Sequence, residues 1–184
     1  MFEDPTGKVA AAAFRLGFAH QKLGVKAVNE TPLGTVMAAP KPEDRELSCR
    51  NGLKWFARIP ATRIRATLKE IERQRACLKS ARNAGLRHSA VELDLAARMA
   101  AQSCRFMLWQ QAVAVGNNTE AKRLAKIGVA KLRKLETDFN NFWPTRNKAT
   151  AKHCSAFLRW RMDDYRNRGK KQTQTSINGR AAAR

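Results

Sequence analysis

Apolar residues recur at intervals of three and four along the second half of the chain. Between Thr119 and Phe142 they fall on one face of a helix, which Phe142-Trp143-Pro144 then ends. The same spacing returns between Ala151 and Tyr165, so this segment can fold back and pack on the first. The striped positions are Leu124, Ile127, Leu132, Leu135, Phe139 and Phe142, followed by Ala151, Cys154, Phe157 or Leu158, Met162 and Tyr165.

A first helix is predicted over residues 6–23, with Thr6 as its N-cap and Gly24 at its end. From residue 25 to residue 60, prolines and glycines interrupt every pattern, so this stretch holds only short helical turns. Buried apolar side chains are expected to anchor it to the rest of the fold. The expected turns cover 33–38 and 53–58, and the expected anchors are Leu33, Met37, Trp55 and Phe56.

Two longer helices follow this stretch. Pro60 suits the first position of a helix over 61–84, because the missing N–H of proline costs nothing there. Ser89 and Glu92 have the spacing of a capping box, which predicts a helix over 89–115. The remaining assignments are a turn at 116–118, an N-cap at Thr119 and a stripe of Ile64, Leu68, Ile71, Arg75 and Leu78.

Together these elements predict an all-α fold, an antiparallel bundle of four or five helices formed by residues 1–165. The bundle is antiparallel because short connections join consecutive helices. Residues 166–184 contain six basic residues and no acidic ones, among Gly, Gln, Thr and Ser. Such a composition cannot bury a core, so this segment is expected to be a basic, disordered, flexible tail.

The charge balance is the most unusual bulk property of the 184-residue chain. Lys and Arg number 36 against 15 Asp and Glu, for a net charge of +21. An excess of this size favours salt-dependent contact with phosphate backbones, anionic surfaces or an acidic partner. The charge is also spread over every predicted helix, which suits a solvated basic surface equally well.

Two stretches have the basic density to follow a nucleic-acid backbone: the helix over 61–84 and the tail. Glu70 and Glu72 interrupt the first, and no helix-turn-helix, zinc-finger or RNA-recognition motif accompanies either. The pattern therefore favours solvated faces over a binding site at these two places. The candidate polyanion contacts are Arg63, Lys69, Arg73 and Lys79 on the helix, and Arg166, Arg168, Lys170 and Lys171 on the tail.

The sequence contains no pattern typical of a catalytic site or a metal site. Cys49, Cys77, Cys104 and Cys154 form no C-x-x-C pair, which predicts buried free thiols in a reducing, cytoplasmic setting. His153 adjoins Cys154, but neighbours on a helix point about 100° apart and cannot both face one ion. Phosphate-binding loops and nucleophile elbows are absent. We therefore expect no catalytic residue, cofactor or metal, and no membrane contact, since no window has the roughly 20 apolar residues that cross a bilayer.

The segment Trp143-Pro144-Thr145-Arg146-Asn147, followed by a last helix ending in Tyr165, resembles the C-terminal end of bacterial family 20 glycoside hydrolases of the β-N-acetylhexosaminidase type. Further matches follow the same order over about residues 4–165. They are Asp4-Pro5 with the Ala-rich first helix, Asn29-Glu30-Thr31-Pro32-Leu33-Gly34, and Glu92-Leu93 with the Ala-rich helix through Cys104.

The chain also departs from that family. Lys148-Ala149-Thr150-Ala151 lacks the glycine turn that the family places after Arg-Asn, and the family's catalytic Asp-Glu pair belongs to a barrel that this chain does not contain. The resemblance thus implies a non-catalytic helical accessory or scaffold domain, whose partner would be a separately encoded catalytic barrel. The alternative that the residues leave open is a small basic helical protein that binds nucleic acid. An enzyme whose site assembles from distant residues is a third reading, with no motif behind it.

Overall fold

The computed structural model describes residues 4, 6–25, 31–38, 56–80, 87–145, 147 and 150–167. Every regular element within these ranges is helical, which confirms the all-α prediction. None of the described helices is both long and apolar enough to span a membrane. The helices are α1 (Lys8–Phe18), α2 (Pro32–Ala38), α3 (Ala61–Ser80), α4 (Arg87–Ala114), α5 (Asn118–Phe142), α6 (Ala151–Cys154) and α7 (156–167), with 3-10 turns at Ala19–Leu23, Phe56–Arg58 and Trp143–Thr145.

Helix α4 lies at the centre of the fold and packs against α2, α3 and α5. Hydrogen bonds show that α3 and α4 are antiparallel. Arg75, late in α3, donates to Asp94, early in α4, whereas Gln111, late in α4, donates to the carbonyl of Ile59, just before α3. The predicted antiparallel arrangement of consecutive long helices is therefore confirmed for this pair.

The C-terminal helices fold back on α5, as the repeated apolar spacing predicts. Leu158, Met162 and Tyr165 of α7 are buried in the main core. The Tyr165 ring meets the rings of Phe106 and Trp109 on α4 at centroid distances of 5.3 Å and 4.9 Å. Aromatic rings prefer such tilted and edge-on contacts, so this cluster fixes α7 against the central helix.

The short helix α2 is anchored by the apolar residues expected to do so. Leu33, Met37 and Phe56 are all buried in the main core. Ser103 on α4 reinforces this contact, since its hydroxyl donates to the Leu33 carbonyl at 2.6 Å. The fourth expected anchor, Trp55, lies outside the described residues, as do residues 81–84 of the predicted third helix, Cys49 and the tail from 168 onwards.

The predicted caps of α4 and α5 are wrong. Helix α4 already includes Arg87, so Ser89 lies inside it and cannot act as its cap. The cap of α5 is Asn117, whose side-chain oxygen accepts the Glu120 N–H at 3.1 Å. Thr119 lies one residue inside the helix, past the position from which a side chain can turn back to the free N–H groups.

The N-cap residue of α1 is Gly7 and not Thr6 as predicted, although the Thr6 hydroxyl oxygen accepts the Lys8 N–H at 3.4 Å. The Asp4 carboxylate accepts the N–H groups of Val9 and Ala10 at 2.9 Å and 3.0 Å, while Thr6 donates its hydroxyl to Asp4. The backbone N–H of Ala10 acts most strongly on this carboxylate, and together these bonds hold the pKa of Asp4 below its usual value. A carboxylate serves better than a hydroxyl at this helix start because it binds two donors and complements the helix dipole.

Candidate functional site

A polar cleft of about 710 Å³ lies between α3, α4 and α5. Most of the lining residues on each helix are three or four positions apart, and side chains with this spacing share one helix face. Its walls carry five cationic side chains and three carboxylates. The cations are Arg75, Arg98, Arg105, Lys131 and Lys134, and the carboxylates are Glu72, Asp94 and Asp138.

The arginines on the α3 side of the cleft are held by carboxylates. Arg75 donates from Nε to Asp94 at 3.0 Å and from Nη1 to Glu72 at 2.8 Å. Arg105 donates from Nη2 to the other Glu72 oxygen at 2.6 Å. Glu72 thus joins guanidinium groups from two helices and fixes their positions.

The charge state of Glu72 follows from these contacts. Burial raises the pKa of its carboxyl, but the Arg105 hydrogen bond and the charges of Arg75 and Arg105 outweigh this effect and lower the pKa overall. Glu72 is therefore ionised at neutral pH. It orients the arginines at the cost of neutralising part of their charge.

On the α5 side of the cleft, Arg98 is also held by a carboxylate, whereas the two lysines are exposed. Arg98 donates to Asp138 at 2.7 Å, and Lys134 lies 3.5 Å from the same carboxylate. Lys131 is exposed and has no ion-pair partner within the described part of the chain. Each guanidinium has five N–H donors, and the contacts above use only one or two of them.

Gln102 of α4 also lines the cleft. The residue is only 3% exposed, and its Oε1 atom accepts no hydrogen bond from any described residue. A buried polar atom left in this state costs about 1–3 kcal/mol. Gln102 therefore places a buried polar group at the wall of the cleft.

The exposed face of α3 continues the cationic surface beyond the cleft. At about 100° per residue, Lys69 and Arg73 lie about 40° apart, between the cleft residues Glu72 and Arg75 on one side and Glu70 on the other. Both cations are solvent-exposed, and Arg73 is paired with Glu70 at 2.8 Å. We call the pair Lys69 and Arg73 the α3 ridge.

The other predicted polyanion contacts do not join this surface. Arg63 lies about 120° around α3 from Lys69, against Gly24, whose left-handed φ of 70° and lack of a side chain let the guanidinium approach. Arg166 is exposed near the C-terminal end of the described chain and pairs with Asp163 at 3.0 Å. The Lys79 side chain, Arg168, Lys170 and Lys171 lie outside the described residues.

Most of the cleft residues are not predicted as site residues from the sequence. Arg75 is predicted to lie on a buried apolar stripe. The structure shows instead that Arg75 is partly buried and forms an ion pair with Asp94. The remaining cleft cations lie on α4 and α5, where the sequence predicts no polyanion contact. A sequence signal exists nonetheless, since Asp94, Arg98, Gln102 and Arg105 interrupt an apolar helix at intervals of three and four.

Thiol and metal chemistry add nothing to this site. Cys77, Cys104 and Cys154 are free thiols, of which only Cys104 is fully buried. Burial raises the pKa of Cys104 to about 12, so this thiol stays protonated and unreactive. Within the described ranges, no group of three or more His, Cys, Asp or Glu residues is placed to hold a metal ion.

The chain matches no protein-family model, no curated protein and no solved structure. The resemblance to the C-terminal region of family 20 glycoside hydrolases therefore stays a prediction. The structure by itself defines a basic all-α protein with a polar, cation-rich cleft.

Proposed function

We propose that this chain is a nucleic-acid-binding protein, and that the cleft together with the α3 ridge binds a phosphate backbone. One observation carries the proposal: cations from three helices converge on one concave surface. A merely solvated basic surface explains dispersed lysines, but it does not explain arginines held in fixed positions on the walls of one cleft.

Arginine suits phosphate because its planar donors match two phosphate oxygens at once. Arg98 and Arg105 have side chains only 14% exposed, so their orientation is restricted before any ligand arrives. Lys131 and Lys134 are solvent-exposed and add positive charge at the edge of the cleft. The cleft thus combines fixed donors inside with exposed cations at its edge, while the net charge of +21 attracts polyanions from a distance.

Net charge alone would produce some binding, so the test must hold it constant. Helix α5 supplies a matched control, because a second group of exposed cations lies on its opposite flank, about 135° around the axis. The cleft variant, Lys69→Gln/Lys131→Gln/Lys134→Gln, combines one residue of the α3 ridge with two residues of the cleft. The flank variant is Lys122→Gln/Lys126→Gln/Arg133→Gln, and every residue changed in either variant is solvent-exposed.

Both variants lose three positive charges, so long-range attraction weakens equally. We expect the cleft variant to bind a labelled 20-nucleotide single strand at least about tenfold more weakly at 0.15 M salt, and the flank variant to change by less than about threefold. Fluorescence anisotropy measures both affinities. Equal losses in the two variants would show that binding follows charge alone, and the proposed site would then be wrong.

A second candidate function is the accessory domain that the family 20 resemblance implies. It is favoured by an apolar cleft of about 490 Å³ between α1, α2 and α4, lined by residues such as Leu16, Met37 and Ala100. A neighbouring domain could cover this surface. The test is co-expression with a family 20 barrel that lacks its helical end. A stable complex disrupted by Ala96→Glu in the apolar cleft, but not by Ala130→Glu on exposed α5 surface, would support the accessory role.

A further inference from the structure

Two phenylalanines project into solvent from α1. Phe14 is 68% exposed and Phe18 is 47% exposed, and their ring centroids lie 4.7 Å apart. They are four residues apart and share one helix face. Burying such rings would stabilise the protein, so an exposed aromatic pair next to a charged surface indicates an interaction site.

The pair borders a shallow concavity of about 450 Å³ whose charged residues are Arg15, Lys22, Glu70 and Arg73. Glu70 accepts hydrogen bonds from Arg73 and from Gln74 on the same helix. The hydrogen bond from Arg73 is the main effect that lowers the pKa of Glu70, and the Lys22 charge adds to it. The surroundings of the rings are therefore cationic overall.

Arg73 belongs both to this concavity and to the α3 ridge. The cationic surface therefore runs from the cleft, across Lys69 and Arg73, to the two exposed rings. Aromatic rings beside a groove of cations are the arrangement with which proteins bind single strands, because unpaired bases stack on the rings while the cations contact phosphates.

We propose that Phe14 and Phe18 form a stacking platform for unpaired bases, which makes the protein selective for single-stranded over double-stranded nucleic acid. The inference rests on the proposed function, since the backbone must be held for the bases to reach the rings. A duplex keeps its bases stacked inside and cannot use the platform. Charge alone would favour the duplex, whose phosphates are denser, so a preference for single strands requires a contact of another kind.

The test compares the wild-type chain with two double variants, Phe14→Leu/Phe18→Leu and Phe14→Trp/Phe18→Trp. Leucine keeps an apolar side chain but removes the aromatic face, whereas tryptophan keeps both. Both sites are exposed, so the fold should survive, as circular dichroism can verify. The ligands are a labelled 20-nucleotide oligothymidylate, a 20-base-pair duplex, and vesicles of anionic phospholipid.

We expect the wild type to bind the single strand more tightly than the duplex. The leucine variant should lose about tenfold on the single strand and nothing on the duplex, and the tryptophan variant should retain the wild-type affinity. Equal binding of oligothymidylate by the leucine variant and the wild type would overturn the stacking proposal. So would a response of the variants that appears only with the vesicles, which would assign the rings to a membrane surface.

The two proposals can fail separately. If the wild type binds neither nucleic acid, the proposed function is wrong and the platform falls with it. If both nucleic acids bind equally well and the leucine change has no effect, the cleft proposal stands and only the platform is wrong.

Discussion

Gly128 of α5 lies directly against the ring of Tyr165 in α7. A Cβ atom at position 128 would come within 2.5 Å of Tyr165 Cζ, closer than any non-bonded carbon contact allows. Glycine in a helix interior usually costs about 1 kcal/mol of stability relative to alanine. Here it is required, because only a residue without a side chain lets α7 approach α5 closely enough to bury the tyrosine.

We predict that Gly128→Ala lowers the free energy of unfolding by about 1–3 kcal/mol, since the added methyl must displace the Tyr165 ring from a packed core. Gly17→Ala in α1 is the matched control. Nothing lies within 4 Å of the methyl that it would add, so it should stabilise the protein by about 0.5–1 kcal/mol. Urea denaturation measures both changes, and a stabilising Gly128→Ala would contradict the described packing of α7.

The cap of α5 gives a second prediction. Asn117→Ala removes the acceptor of the Glu120 N–H and should cost about 1 kcal/mol. Thr119→Ala, at the position that the sequence favours as the cap, should change stability by less than about 0.5 kcal/mol. The two single variants are compared by thermal unfolding. If Thr119→Ala cost more than Asn117→Ala, Thr119 and not Asn117 would be the N-cap residue.

Arg161 gives a third prediction. The residue is completely buried, its guanidinium lies 5.1 Å from the Phe106 ring centroid, and its Nη1 lies 3.2 Å from Asp164 Oδ2. Truncating this fully buried side chain leaves a cavity beside the Phe106 ring, so Arg161→Ala should cost about 3 kcal/mol. Arg161→Met should cost less, because methionine refills the volume.

The control for Arg161 is Arg133→Ala, which removes an exposed arginine from α5. Its effect on stability should stay within about 0.5 kcal/mol. Chemical denaturation of the three variants would contradict the account if Arg161→Ala were as harmless as Arg133→Ala.

Glu72 gives a fourth prediction, with opposite signs for stability and binding. Its pKa in the folded state lies below the ordinary value of 4.5, so its ionised form stabilises the fold above about pH 4.5. This contribution is lost as the pH falls through the lowered pKa. Glu72→Gln should therefore cost about 0.5 kcal/mol at pH 7, a modest value because the side chain is 37% exposed. The difference should disappear in acid.

The same substitution releases Arg75 and Arg105 from a competing carboxylate. We expect Glu72→Gln to bind single-stranded nucleic acid more tightly at pH 7 than the wild type does, despite its lower stability. Fluorescence anisotropy titrations measure the affinity, and thermal unfolding measures the stability. Weaker binding by this variant would indicate that the carboxylate is needed to hold the arginines in their binding positions.

The sequence predicts the fold well because apolar spacing records which side of each helix is buried. Leu132, Leu135 and Phe139 are buried as that spacing indicates. It does not predict Gly128, since glycine carries no hydrophobic signal and its role depends on a tyrosine from another helix. The apolar spacing also does not predict that Arg161 is buried, because a charged residue between apolar neighbours is assigned to the exposed face of a helix.

The candidate site is less accessible to sequence reasoning for a related reason. Lys69 and Arg73 are identified because they lie on a visibly basic helix. Arg98 and Arg105 lie on the most apolar of the long helices, and their shared surface with Lys131 exists only once α4 and α5 pack together. Pairing between helices is a property of tertiary structure, which the period of a single helix does not specify.

The most direct test of the central claim is the salt dependence of single-strand binding, measured as the slope of log K against log salt concentration. Each phosphate contact contributes about 0.7 to this slope for single strands. We predict that Lys69→Gln/Lys131→Gln/Lys134→Gln reduces the slope by about 2, whereas Lys122→Gln/Lys126→Gln/Arg133→Gln leaves it unchanged. Equal reductions in both variants, or a reduction only in the second, would contradict this prediction.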